Sequence, residues 1–172
     1  MAVYALGDLV PVIHPDAYVA PGATVIGQVY IGADSSIWPG AVLRADGGRI
    51  LIGDRTSIQD GVVVHVGGTL DTVIGSDAVV GHLAHLEGCV VGDGALVGSG
   101  SILLHRVVVG AGALVAAGAV LTPGTEVPAL AMARGVPARI HLDHVAPGAF
   151  ADSAGRYVER GHRYAAQLRR IS

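Results

Sequence analysis

Lysine is missing from this chain of 172 residues: all eleven basic side chains are arginine. That absence excludes Schiff-base chemistry and a lysine general base. Cysteine is reduced to Cys89 alone, so there is no disulfide framework, and a reducing compartment is expected. Large aromatics are scarce, with one Trp and one Phe. Clustered positive charge is scarce too: the net charge is −3 and no basic block precedes the last turn of the chain, which argues against nucleic acid and anionic membrane as partners. The N-terminus "MAVYALGDLVPVIHPD" has no basic n-region, and its apolar residues are broken by Gly, Asp and Pro, unlike a signal peptide. No later apolar run has the length of a membrane span. The expectation is a soluble cytoplasmic protein. Glutamate occurs only three times, and one of the three falls in the stretch "VGHLAHLEGC", residues 80–89.

What the chain does have is Val, Ala, Leu, Ile and 26 Gly, a mixture suited to stacked β-strands with many tight turns. From Ile13 it divides into six-residue units: "IHPDAY", "VAPGAT", "VIGQVY", "IGADSS", "IWPGAV", "LRADGG". An insertion at Arg49–Leu51 interrupts the series, four extra residues follow "VHVGGT", and "LEGCV" is one residue short. Nearly every unit opens with Val, Ile or Leu. Its fifth position is usually Ala, Val, Ser or Thr, and Gly, Asp and Pro crowd the corners between. Short antiparallel hairpins would need period-two alternation, which a period of six is not. The spacing predicts a β-solenoid in which three units make one triangular coil and coils pair as parallel strands ~4.8 Å apart. About six coils fit between residues 9 and 127, so residues 1–140 are expected to form the solenoid. Residues 141–172 then carry a helix from about Asp152 to Arg170, with an apolar stripe of Ala154, Tyr157, Val158, Tyr164, Ala165 and Leu168.

Stacking the units predicts which side chains become neighbours. One side is opened by Ile31, Ile52, Ile74 and Val91, the next by Ile37, Ile58, Val80 and Val97, the third by Leu43, Val64, Leu86 and Leu103. On the third side the following residues, Arg44, His65, Glu87 and Leu104, should form one outward column, with His65 and Glu87 within reach of a shared metal ion. On the second side Gln59 and Asp60 lie beneath Gly81 and His82. His85 ends its unit and is expected across the corner from the His65 column. His14, His141 and His162 read as surface residues, and His105 as structural or surface.

These residues carry a resemblance. "SIWPGAVLRAD" (36–46), "RTSIQDGVVVH" (55–65), "VGHLAHLEGC" (80–89), "GVPAR" (135–139) and "YVERGHRYAAQLRRI" resemble the γ-class carbonic anhydrases, the metal-binding branch of the hexapeptide-repeat proteins. "GVPAR" is weak alone, because acyltransferases of the same repeat class end similarly. The ordered set LRAD, IQDG, VVH and GH is specific. The resemblance implies a left-handed parallel β-helix and a homotrimer, with zinc or iron bound between subunits by three histidines. It places His65 and His82 at two ligand positions, His82 being donated across the interface. At the third, the family's histidine is replaced by Glu87. Arg44 and Asp46 match a pair that joins subunits. Gln59 and Asp60 match residues that orient the reacting hydroxide. Ser57 replaces an asparagine, Gly47 an acidic proton shuttle, and the acidic loop after the first ligand shrinks to "VGGTLDTV".

The implied activity is reversible hydration of CO2 to bicarbonate by a metal-bound hydroxide. Two histidines and a carboxylate are a legitimate catalytic zinc set. The carboxylate's charge should lower the metal's electrophilicity and make Fe, Co or Mn more competitive with Zn. His85 is the alternative third ligand. Two other readings are an acyl-CoA-dependent acyltransferase with His82 or His85 as general base, and a trimeric metal-binding scaffold without activity.

Overall fold

The structure, a computed structural model describing residues 1–172, is a left-handed parallel β-helix followed by one helix, Ala151–Gln167. One face is an eight-stranded sheet running from Tyr18–Val19 to Met132–Arg134, with Arg139–His141 added antiparallel at its end. The other two faces merge into a twelve-stranded sheet, because Thr24–Ile31 and Val42–Ile52 turn the corner without a break.

The predicted columns hold in register. Ile37, Ile58, Val80, Val97 and Val115 stack on one face. Leu43, Val64, Leu86, Leu103 and Leu121 stack on the second, and Ile31, Ile52, Ile74, Val91, Val109 and Val127 on the third. All are buried, each contributing about 1.5–3 kcal/mol of transfer free energy. The fifth positions Ala23, Ala41, Val62, Ala84, Ser101 and Ala119 are fully or almost fully buried. They turn inward at the corners of a narrow triangle, which explains why they are small.

Three boundaries differ from the sequence-based expectation. Seven parallel strands stack on each face rather than six: Ala2–Tyr4 already pairs with Thr24–Ile26, and Met132–Arg134 continues the stack beyond residue 127. The C-terminal end keeps the six-residue spacing from Leu121 through Val127 to Ala133, whereas Ala2–Tyr4 precedes the first regular unit at Ile13. The first insertion lies at 46–49 rather than Arg49–Leu51: Ala45 pairs with Gly27 and Ile50 with Val29, so only Gln28 faces the four residues between. The helix ends at Gln167, where Leu168 is extended. Its docking residues are Ala154 and Gly161, while Ala165 and Leu168 are exposed. A Cβ on Gly161 would lie 3.5 Å from Tyr18 Cβ and 3.6 Å from Ser36 Cβ, so this glycine is where the helix touches the solenoid. Tyr157 and Tyr164 stand edge-on to Trp38, with ring centroids 5.8 and 5.1 Å away. Trp38 Nε1 donates to Ser36 Oγ and Ser57 Oγ, both at 3.0 Å. No helix is long and apolar enough to cross a membrane.

Candidate metal centre

Three consecutive rungs of one face build the candidate site. Val42–Ile52, Val63–His65 and His85–Glu87 pair so that Arg44 is opposite His65 and His65 opposite Glu87. Leu43, Val64 and Leu86 are fully buried, and strand alternation therefore turns their successors outward. Asp46, two residues beyond Arg44, lies on the same side and accepts the Arg44 guanidinium. Its Oδ1 is 3.0 Å from His65 Nε2. His65 Nδ1 is 3.4 Å from Glu87 Oε1. Arg44, Asp46, His65 and Glu87 thus form one continuous polar chain within a single subunit.

Two histidines stand where the sequence reading did not put them. His85 was expected across the corner, yet His85, Leu86 and Glu87 form one strand, whose period of two returns residues 85 and 87 to the same side. His85 Nε2 is 3.3 Å from Glu87 Oε2. His105, expected to be structural or surface, has its Nε2 3.3 Å from Glu87 Oε1. Gly67 and Gly88 make room for it: a Cβ on either would meet His105 Cδ2, at 2.6 Å and 3.1 Å. Glu87 is therefore the hub of His65, His85 and His105. Burial pushes its pKa up, but hydrogen bonds to His105, His85 and His65, with the charge of His105, outweigh this and hold it below the usual glutamate value. The carboxylate is ionised.

Thr72 was not anticipated. Its buried hydroxyl donates to the His65 carbonyl and accepts from the Gly88 amide at 2.8 Å. It ties the rung of His65 to the residue after Glu87. Arg49 reinforces the same turn by donating to Asp71 Oδ2 through Nη2 at 2.7 Å and Nε at 3.1 Å. These bonds lower the Asp71 pKa.

His82 belongs to a different face. It follows Val79–Val80, and its Nδ1 lies 3.0 Å from Asp60 Oδ2. Gln59 is 5% exposed and is fixed by its backbone, whose amide donates to Val80 O at 3.0 Å. One chain thus brings together His65 with Glu87, and Asp60 with His82, as two separate clusters. No group of three or more His, Cys, Asp or Glu within the chain could hold a metal ion. Cys89 is buried and its thiol pKa is pushed up to about 12, chiefly by desolvation, so it offers no thiolate.

The fold and this arrangement define a hexapeptide-repeat protein, and comparison with known proteins agrees. The model of the family "Bacterial transferase hexapeptide (six repeats)" matches residues 11–45, 71–105 and 88–123. The chain belongs to the hexapeptide-repeat family and, within it, is of the γ-carbonic-anhydrase-like kind. It is 46% identical over 138 residues to the mitochondrial gamma carbonic anhydrase 2 of Arabidopsis thaliana, covering 77% of this chain and 50% of that protein. It is 40% identical over 140 residues to the carnitine operon protein CaiE of Salmonella agona, covering 81% of this chain and 71% of that one. The chain spans about half the length of the plant relative. Among solved structures it is similar to a hexapeptide transferase family protein from Anaplasma phagocytophilum, with TM-score 0.89 and 37% identity over 95% of this chain and 98% of that chain. It is also similar to a Bacillus cereus protein provisionally named an acetyltransferase, with TM-score 0.92 and 32% identity over 96% and 98%.

Proposed function

We propose that this protein interconverts CO2 and bicarbonate as a homotrimer, with a metal ion held between subunits by His65 and Glu87 of one chain and His82 of the partner subunit. The observation that carries this reading is the 3.4 Å separation of His65 Nδ1 and Glu87 Oε1 on adjacent rungs. Zn–N and Zn–O bonds of about 2.0–2.2 Å put two ligand atoms of a tetrahedral site about 3.3–3.5 Å apart. The pair fits as two ligands, and the third proposed ligand, His82, stands in a separate cluster with Asp60 on another face of its own chain. When bound, the ion would supply Lewis acidity and a lowered water pKa.

The chain's own residues prepare that chemistry. Asp46 engages His65 Nε2 and fixes the ring orientation, the service an outer carboxylate commonly performs for a ligating imidazole. His85 and His105 bond the two Glu87 oxygens and keep the carboxylate ionised and oriented. Asp60 engages His82 Nδ1 and leaves Nε2 to face outward. Gln59 and Asp60 stand next to one another to orient the reacting oxygen, and Arg44 with Asp46 lines the subunit contact. A carboxylate where the family resemblance implies histidine leaves more negative charge at the metal, so Fe, Co or Mn competes with Zn better than at three histidines. The lone buried Cys89 suits a reducing, cytoplasmic setting.

Anaerobic purification, elemental analysis and a CO2-hydration assay on the same sample test the proposal. About one ion per chain with measurable hydration supports it, and a metal-free, inactive trimer after metal supplementation overturns it. A second reading, acyl transfer from an acyl-CoA, is favoured by the 3.0 Å Asp60–His82 contact, which presents a carboxylate-oriented imidazole as a general base. Thermal stabilisation by CoA, together with acetyl-CoA turnover in the absence of CO2 hydration, would select it.

A further inference from the structure

We propose that the cleft between the C-terminal helix and the Trp38–His82 edge of the solenoid is an oxyanion-binding site, with Arg160 and Arg163 as its grip. The cleft holds about 330 Å³ and is lined by Trp38, Asp60, His82, Tyr157, Tyr164 and the two arginines, with Pro39 at its edge. Arg160 and Arg163 take part in none of the chain's ion pairs, although Glu159 lies next to Arg160 on the same helix. Each is instead set against an aromatic ring. Arg160 Cζ lies 5.1 Å from the Tyr157 centroid and Arg163 Cζ 5.8 Å from that of Tyr164, and both tyrosines pack edge-on to the buried Trp38.

This arrangement has the chemistry of an anion receptor. A guanidinium held on a ring keeps its forked donors free and loses less freedom on binding than an unsupported side chain. The single carboxylate in the cleft, Asp60, lies 3.0 Å from His82 Nδ1 and pairs with neither arginine, so the two guanidinium charges outnumber it. Two arginines favour bidentate recognition of a planar carboxylate-type group or a phosphate. The ligand is an oxyanion, either bicarbonate itself or the phosphate of a nucleotide-bearing molecule such as CoA. The four heavy atoms of bicarbonate would occupy a small part of the cleft, whereas a nucleotide phosphate would bring atoms to fill it. The site needs no metal. It shares Asp60 and His82 with the proposed metal centre.

Trp38 is the only tryptophan and lines the cleft, so its fluorescence reports occupancy directly, with calorimetry in parallel. The full chain as purified is titrated at constant ionic strength with inorganic phosphate, bicarbonate and adenosine 3′,5′-bisphosphate. Saturable binding of at least one is expected, weakened about tenfold or more in the Arg160→Gln/Arg163→Gln variant, with metal content unchanged. The Arg160→Lys/Arg163→Lys variant should recover part of the affinity. Preference for the bisphosphate identifies a nucleotide phosphate, and preference for bicarbonate identifies the small anion. Saturation undiminished in the glutamine variant, or no saturable binding of any of the three by either method, overturns the inference. If the double variant does not fold, the single Arg163→Gln variant is read in the same way. No saturable anion binding by a wild-type protein that holds metal and hydrates CO2 defeats this site alone, while arginine-dependent anion binding in a protein that takes up no metal defeats the metal proposal alone.

Discussion

His105 reaches Glu87 across a floor of two glycines, its Nε2 3.3 Å from Glu87 Oε1. A methyl group at Gly67 would stand 2.6 Å from the His105 ring and push it away from the carboxylate. Gly67→Ala is therefore expected to cost about 1 kcal/mol, and much less in a His105→Ala background, because the two changes act on one contact. Chemical denaturation of the four proteins of that cycle measures the coupling. Equal costs in both backgrounds would show that His105 does not occupy the space above Gly67.

Arg44 and Asp46 pair within one chain, with side chains 45% and 32% exposed. In a monomer such a pair is worth about 0–1 kcal/mol. If a neighbouring subunit covers it, removing one partner strands a desolvated charge at a cost of up to about 3–5 kcal/mol. Arg44→Ala is expected to shift the proposed trimer toward lower mass at micromolar concentration, as read by light scattering. A trimer with unchanged melting temperature would deny the arginine any role in assembly.

Acid should unfold the metal-free protein through two identified carboxylates. Asp71, bonded by Arg49, and Glu87, bonded by histidines, both have lowered pKa values in the folded chain. Their contribution is fully present above the unfolded carboxylate pKa of about 4 and is lost as pH falls through the lower folded values. The melting temperature should change little between about pH 7 and pH 5 on account of these groups and then drop below about pH 4. Asp71→Asn should lessen that drop. An unaltered acid limb in the variant would remove Asp71 from the account.

Much of the fold was legible because a solenoid repeats its environment every coil. Ile37, Ile58 and Val80 meet the same triangular interior, so one spacing fixes all three and the register between them. The same spacing put Arg44, His65 and Glu87 in one column. It did not place His85, because a six-residue unit divides the chain at Leu86 while the strand runs through the division and alternates across it. His105 and Thr72 were hidden for another reason. Their roles depend on what lies one rung away, beneath a pair of glycines in one case and behind a non-repeating loop in the other. The arginines of the cleft depend on how the helix docks, which Gly161 decides by its lack of a side chain. The apolar stripe located Ala154, Tyr157 and Tyr164 on the docked face but also took in the exposed Ala165 and Leu168.

In the proposed centre Glu87 is the metal ligand beside His65, with His85 supporting it. Metal content per chain, determined by elemental analysis of the wild-type, Glu87→Ala and His85→Ala proteins purified alike, tests it most directly. Glu87→Ala should lose most of its metal while staying folded, since the side chain points outward. His85→Ala should keep most of its metal, with affinity weakened by no more than the roughly 10–100-fold of an outer partner. Loss of metal in His85→Ala with retention in Glu87→Ala, or equal retention in both, would contradict it.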